Sequence, residues 1–259
     1  MGRIEAAFSE LKRQGKKGFI PFITAGDPDL TITEELLNEL SGATVIELGV
    51  PFSDPMADGP VIQRSSERAL KYGVGIGDIL KVVASVRREI ETPIILFSYF
   101  NPLLQFGLKR LAEEAKAAGV DGVLVTDLSP EEASEFESEL RANDLDMIFL
   151  IAPTSTDERL KLVAQHARGF IYAVSRAGVT GVRTNVSAEA EKLVNRMRQF
   201  SSLPIAVGFG ISTAEQVKDV QRYADAVVIG SAIVSEIERL QGAAATAKRI
   251  GEFVKQVSD

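Results

Sequence analysis

Eight short apolar runs, rich in β-branched residues, recur along the chain: FIPFIT (19–24), TVIEL (44–48), IILF (94–97), GVLVT (122–126), MIFLIA (147–152), FIYAV (170–174), PIAVGF (204–209) and AVVIG (226–230). They are nearly continuous in hydrophobicity rather than alternating, as expected of parallel strands that are also covered on their outer face. Segments with helical spacing lie between them. Leu108, Leu111, Ala112 and Ala115 fall at i, i+3, i+4 and i+7, with Lys109, Glu113 and Glu114 turned elsewhere. Ala133, Phe136 and Leu140 repeat the pattern, and so do Ala214, Val217 and Val220, which follow the capping residues Ser212 and Thr213. Residues 1–18 read as a short amphipathic helix. Strand starts are mostly 22 to 34 residues apart, the length of a βα unit, but 50 residues separate Thr44 from Ile94.

Eight βα units with no linker, low-complexity tract or composition break predict an α/β fold. The expectation is one (β/α)8 TIM barrel over residues 1–259, with a short N-terminal helix and extra helical material after strand 2. An open doubly wound sheet gives the same alternation. Against a nucleotide-binding version of that sheet, the first strand leads into TAGDPDL without G-x-G-x-x-G, and no Walker A sequence occurs. In a barrel, function belongs at the C-terminal ends of the strands and in the loops that follow them.

Composition narrows the chemistry. With no cysteine and a single histidine, His166, the chain lacks disulfides, thiolate metal sites, a cysteine nucleophile and HExxH. Carboxylates show no metal-ligand spacing, so no metal is expected. The 29 basic and 36 acidic residues give a net charge of -7, which offers no support for nucleic-acid or anionic-membrane binding. No apolar run approaches the roughly 20 residues of a membrane span. The N-terminus lacks a signal-peptide core, and Ala6 breaks the myristoylation pattern that Gly2 would open. The expected setting is the cytoplasm.

Two constellations remain on the predicted active face. Strand two ends at Glu47-Leu48-Gly49 and enters a loop running to Pro60 that is shaped by Pro51, Pro55, Gly59 and Pro60. A glutamate inside an apolar barrel strand is costly to bury unless paired, and the interior is expected to raise its pKa toward the range of a general acid/base. The alternative is a structural Glu47 satisfied by backbone or lysine. Asp58, before Gly59-Pro60, reads equally as a helix cap or as a catalytic carboxylate, and Asp54-Pro55 as turn chemistry. Late in the chain, the lid-length loop from Ser175 to Arg183 and the glycines of Gly208-Phe209-Gly210-Ile211-Ser212 and Gly230-Ser231-Ala232 follow consecutive strands. Glycines before helix starts after strands seven and eight supply backbone N–H groups for a phosphate, or serve only as turns. No lysine ends a predicted strand, which argues against a Schiff-base aldolase. Asp127 reads either as orienting a substrate or as capping a helix that begins near Pro130. His166 reads as a surface residue favoured by a helix C-terminus.

The loop Glu47-Leu-Gly-Val-Pro-Phe-Ser-Asp-Pro-Met-Ala-Asp-Gly-Pro60 resembles that of the tryptophan synthase α-subunit family throughout. Pro21 to Pro28, Tyr99-Phe100-Asn101-Pro102, Ser175 to Gly181, Gly208 to Ser212 and Gly230 to Val234 extend the resemblance in order along nearly the whole chain. It implies a retro-aldol lyase of tryptophan biosynthesis that cleaves indole-3-glycerol phosphate to indole and glyceraldehyde 3-phosphate. Carried over, Glu47 is the acid/base at indole C3 and the glycerol hydroxyl, and Asp58 faces the indole N–H. Phe22, Tyr99, Leu124, Tyr172, Phe209 and Ile229 would surround the substrate, with Thr180 reaching toward Asp58 from the lid. The phosphate would lie on amides around Gly181, Gly210, Gly230 and Ser231. The resemblance also implies a β-subunit in an α2β2 assembly that receives the indole. That partner, not this chain, would carry pyridoxal phosphate; no cofactor is expected here. The loops carrying Pro51 to Pro60 and following Asn101 would face it. Ser129 departs from the family, which usually carries proline there, near that interface.

Three other readings share parts of this pattern. A standalone indole-glycerol-phosphate lyase would use the same residues and differ only in partner dependence. A non-catalytic α-like subunit that binds a phosphorylated ligand and activates a β-type partner would not need both Glu47 and Asp58. A generic phosphate-binding isomerase or epimerase barrel would lack the complete second-strand loop.

Overall fold

The computed structural model describes residues 1–174, 186–208, 210–241 and 243–258. Eight parallel strands follow one another in sequence order: β1 (Gly18–Thr24), β2 (Ile46–Gly49), β3 (Ile94–Ser98), β4 (Gly122–Val125), β5 (Asp146–Ile151), β6 (Ile171–Val174), β7 (Ile205–Gly208) and β8 (Ala226–Ile229). β8 pairs back onto β1, which closes the barrel and excludes the open sheet. Each predicted apolar run contains one strand, with ends displaced by one or two residues. The interval between β2 and β3 holds two helices, α3 (Pro60–Leu70) and α4 (Ile76–Val86), and these are the expected extra material. Ahead of β1 comes α1 (Arg3–Gln14), and α2 (Leu30–Glu39) follows it. β3 is also followed by two helices, α5 (Phe100–Phe106) and α6 (Leu108–Ala118). The later helices are α7 (Ser134–Ala142), α8 (Asp157–His166), α9 (Val186–Met197), α10 (Ala214–Gln221), α11 (Ser231–Arg239) and α12 (Thr246–Ser258).

Alternation along the strands divides the buried side chains into two cores. Ile20, Phe22, Ile95, Phe97, Leu124, Ile148, Tyr172, Ala206, Ala226 and Val228 fill the interior. Ile23, Ile46, Leu48, Leu96, Val123, Ile171, Val207 and Ile229 belong to the outer core beneath the helices. Ile4 and Phe8 of α1 join the interior cluster, and the Phe8 ring lies 5.8 Å from that of Phe170, so the N-terminal helix stops the end of the barrel away from the active face. Burying each large aliphatic or aromatic side chain contributes about 1.5–3 kcal/mol, and the strands have buried residues on both faces, which is why their sequences read as continuous apolar runs.

Local sequence fixes the helices in the expected way. Leu108, Leu111, Ala112 and Ala115 are all buried on α6, which ends at Gly119 with φ +92, a conformation that suits glycine. α10 begins with a capping box in which Thr213 Oγ1 accepts from Gln216 N and Gln216 Oε1 accepts from Thr213 N. Carboxylates at the N-terminal ends of strands tie neighbouring units together. Asp121 Oδ2 accepts from Ile94 N at 2.9 Å and from Arg87 Nη2 at 2.6 Å, while Asp225 Oδ2 accepts from Ile205 N at 2.9 Å.

Two surface readings need correction. Asp127 does not cap its own following helix, which starts at Ser134; its Oδ1 accepts from Phe100 N at 2.7 Å and caps α5 in the preceding unit. His166 does end α8, but it is half-buried, with Nδ1 2.6 Å from Glu137 Oε2. Ser129, the departure from the family pattern, donates to Glu132 Oε2 at 2.9 Å.

Candidate active site

Glu47 is the second of the four residues of β2. Its Cα pairs in register with Phe22 of β1 and Ile95 of β3, both interior residues, so its side chain falls on the interior face. Only 1% of it is exposed, and Oε1 has no hydrogen-bond partner among the described residues. The bland expectation, a structural glutamate fully satisfied by backbone or lysine, does not hold for that oxygen. Burial pushes the carboxyl well above its ordinary value, which favours the protonated form.

Asp58 sits at the far end of the β2–α3 loop, over the same interior. It is not the cap of α3: Gly59 occupies that position, and Pro60 takes the first helical position. Its carboxylate instead accepts a hydrogen bond from the Tyr99 hydroxyl. Desolvation raises it from 3.8 to about 6, and the bond from Tyr99 opposes that rise. The Tyr99 oxygen also accepts from Ala57 N at 2.9 Å, which anchors the loop to the end of β3. Tyr99 packs its ring 5.2 Å from Phe52, and burial together with the negative charge of Asp58 pushes its own pKa upward. Asp58 and Tyr99 line one pocket with Phe22, Thr24, Gly49, Val50, Ile62, Ser66, Phe97 and Ser98. Tyr172, on β6 across the barrel, is raised by burial first and then by the charges of Glu47 and Asp58, which places it within electrostatic reach of both carboxylates.

Glycines shape the rim above these side chains. A Cβ at Gly49 would lie 2.6 Å from the Phe22 ring, and one at Gly208 would lie 2.0 Å from the Tyr172 hydroxyl. A Cβ at Gly230 would lie 3.3 Å from Phe22, and Gly230 is also the N-cap of α11, where no side chain among the described residues accepts from the first turn. The amide groups of Ser231 and its successors are therefore the uncapped start of a helix, an anion-attracting position. Gly210 lies just past β7, with φ +81. Thus Phe22, Leu124 and Tyr172 share the interior, Tyr99 seals one side, and Gly210, Gly230 and Ser231 fall on adjacent strand ends. Thr180, Gly181 and Phe209 lie outside the described residues. Ile229 is misassigned: strand parity turns it into the outer core, and Val228 is the β8 side chain that enters the interior. Thr24 and Phe97 line the pocket without having been singled out, although counting in twos from Phe22 and Ile95 would have found both.

Residues 8–259 match the family model for the tryptophan synthase alpha chain. The chain belongs to that family. A tryptophan synthase alpha chain from Geobacter sulfurreducens is 51% identical over 261 residues, covering 100% of this chain and 98% of the relative. One from Polynucleobacter asymbioticus is 50% identical over 262 residues, again covering 100% of this chain and 98% of the relative. Among solved structures, tryptophan synthase subunit alpha from Legionella pneumophila superposes with a TM-score of 0.92 at 38% identity, covering 100% of this chain and 97% of that one. A chain in a structure of the tryptophan synthase α2β2 complex from Pyrococcus furiosus superposes with a TM-score of 0.85 at 40% identity, covering 93% and 97%. The segment that carries the resemblance is thus the one that holds Glu47 on β2 and Asp58 in the loop after it.

Proposed function

We propose that Glu47 and Asp58 divide the work of the family's reaction. As a tryptophan synthase alpha chain, the protein cleaves indole-3-glycerol phosphate to indole and glyceraldehyde 3-phosphate. The observation that carries the assignment of roles is the buried Glu47 carboxyl inside the barrel, one oxygen of which has no partner among the described residues. Held protonated by its surroundings, it donates to indole C3. The ring becomes an indolenine-like cation, and Asp58, accepting from the ring N–H, stabilises that charge. The Glu47 carboxylate then takes the proton of the glycerol hydroxyl on the carbon attached to C3. The C–C bond breaks, its electron pair returns to the ring, and the aldehyde forms. Glu47 ends as it began, protonated. The scheme needs no metal or cofactor in this chain.

The different environments of the two carboxylates support this division of labour. Glu47 is buried almost completely, which suits a group that must give and retake a proton. Asp58 keeps a hydrogen bond from Tyr99 and titrates at about 6, so it is largely ionised at neutral pH. The phosphate would rest on the amides at the start of α11 and near Gly210, with Gly181 from the loop after β6. Phe22, Leu124, Tyr172 and Val228 would form the floor under the indole, and Phe209 and Thr180 belong to the same proposal.

The reading extends to a β partner. Met56, in the β2–α3 loop, and Leu104, on α5, leave 82% and 49% of their surface exposed, on the two segments expected to face a β-subunit in an α2β2 assembly. No helix among the described residues is long and apolar enough to cross a membrane. We place the reaction in the cytoplasm on the biosynthetic character of the family. The test is cleavage of indole-3-glycerol phosphate by the purified chain, with and without a tryptophan synthase β-subunit. Slow turnover that the partner strongly raises supports the subunit reading, and fast turnover indifferent to it supports a standalone lyase. Glu47→Gln is expected to abolish cleavage while leaving the fold and phosphate affinity intact; retained turnover removes Glu47 from the acid/base role.

A further inference from the structure

Arg68, on α3 ten residues beyond Asp58, makes more polar contacts than a helix-surface arginine requires. Its Nε and Nη2 donate to the two oxygens of Asp27 at 2.7 and 2.8 Å, a bidentate fork. Its Nη1 donates to Glu238 Oε1 at 2.8 Å. Asp27 is completely buried, and the Arg68 side chain is only 16% exposed. Glu238 in turn receives a second fork from Arg64, one turn earlier on α3, at 2.8 and 2.7 Å. The Arg64 fork, with Arg68 behind it, holds Glu238 down to about 2.

The three elements joined here are the ones that carry the proposed substrate site. Asp27 follows β1, and its backbone N–H donates to the carbonyl of Thr24, which lines the pocket. Thr24 Oγ1 also lies 2.7 Å from Ser65 Oγ of α3, a second tie between the same two segments. α3 begins at Pro60, two residues after Asp58, and presents Ile62 and Ser66 to the pocket. Glu238 lies about two turns along α11 from Ser231. One guanidinium therefore spans the gap between the helix that starts at the ring-binding carboxylate and the helix whose uncapped start faces the phosphate.

We infer that Arg68 is a positioning residue that sets the distance between the indole end and the phosphate end of the substrate site, through Asp27 on one side and Glu238 on the other. The inference rests on the reaction proposed above. A substrate held at both ends reacts only when the two half-sites are correctly spaced, and a misplacement of about 1 Å costs on the order of a hundredfold in rate. Loss of Arg68 leaves each half-site intact but uncouples them, so separate fragments should bind as before while the joined substrate suffers.

The experiment compares the wild-type chain with Arg68→Lys, Arg68→Gln and the double variant Asp27→Asn/Arg68→Gln. The double variant is decisive, because Arg68→Gln alone strands a buried carboxylate. For each, kcat and KM are measured with indole-3-glycerol phosphate, and Kd separately with indole and with glyceraldehyde 3-phosphate. The expected result is fragment affinity within about twofold of wild type and kcat/KM lower by about tenfold or more. Arg68→Lys, which keeps the charge and loses the fork, should fall between. Unchanged kcat/KM alongside a lowered melting temperature would make Arg68 purely structural and overturn the inference. Fragment affinities that fall in proportion with kcat/KM would overturn it too, since the half-sites themselves would then depend on Arg68. A wild-type chain without cleavage removes the reaction reading and this inference with it, whereas full cleavage by the variants removes the inference alone.

Discussion

The Asp58→Asn substitution separates the proposed chemical role of this carboxylate from its effect on stability. In the folded chain Asp58 titrates at about 6 rather than 3.8, because burial disfavours its charge more than the Tyr99 hydroxyl favours it. Below pH 3.8 the group is protonated in both folded and unfolded chains and costs nothing. As the pH rises from there through about 6, the unfolded chain gives up the proton more readily, and folding is progressively weakened. The gap between the two values corresponds to about 3 kcal/mol at neutral pH, at about 1.4 kcal/mol per pH unit. Asparagine keeps an acceptor for Tyr99 and cannot ionise, so it removes this penalty, less about 1 kcal/mol for an amide with fewer partners. The variant is therefore expected to be about 2 kcal/mol more stable than wild type at neutral pH and to lose that advantage by about pH 4. Urea unfolding of both chains across that range reads the difference directly, and cleavage of indole-3-glycerol phosphate should fall steeply in the same variant. A stability difference that does not change between about pH 4 and neutrality would refute the reasoning, since only a titrating group gives the predicted slope.

Glu47→Gln should behave in the same sense, with cleavage lost and stability at neutral pH raised, because its carboxyl is likewise lifted by burial; equal unfolding midpoints at neutral pH would count against the desolvation argument. Tyr99→Phe removes the donor that lowers Asp58, so the acid limb of kcat/KM should move to higher pH, and loss of the Ala57 contact should cost about 1 kcal/mol in urea unfolding. Gly208→Ala drives a methyl group into the Tyr172 hydroxyl, with an expected cost of about 1–3 kcal/mol and a fall in kcat; a variant of normal stability and rate would show that Tyr172 has room to move. At the opposite end of the barrel, Asp121→Ala strands Arg87, whose side chain is 8% exposed, and should destabilise by about 3–5 kcal/mol. Its kcat should survive at temperatures where the variant is folded.

The barrel was legible because its strands are buried on both faces. That produces eight continuous apolar runs, and their number and spacing leave few ways to arrange a parallel sheet. The helices were legible in proportion to their amphipathicity, as Leu108, Leu111, Ala112 and Ala115 show. What sequence pattern did not give was anything set by a neighbouring unit. Asp127 looked local, with a helix start nearby, yet its bond goes to Phe100 at the start of α5 in the previous unit. Likewise, His166 reads as a helix-end residue until Glu137 of the adjacent helix is seen beside it. The link from Arg68 to Asp27 and Glu238 spans 41 residues one way and 170 the other, distances over which no periodicity carries information.

Within the site, what mattered was parity. Glu47 stood out because a carboxylate in an apolar strand is conspicuous on either face, and register with Phe22 and Ile95 then fixed the interior face. The apolar neighbours carry no such mark. Val228 and Ile229 are chemically alike, and only the pairing of β8 with β1 and β7 decides that Val228 faces the barrel interior. The glycines at the rim show why composition alone was ambiguous. Read as phosphate ligands or as turns, they have a third constraint that sequence cannot display. Gly49 and Gly208 stand where a Cβ would strike Phe22 and Tyr172, and Gly230 backs onto Phe22 as well. These aromatic side chains can reach the rim because the strand ends above them lack side chains. The glycine at the head of α11 accordingly does two things at one position, leaving the helix start that is proposed to hold the phosphate without a side-chain cap from its own residue and leaving space for the ring beneath it. A larger residue at Gly230 would therefore disturb ring packing and anion affinity together, which neither the phosphate reading nor the turn reading requires when taken alone.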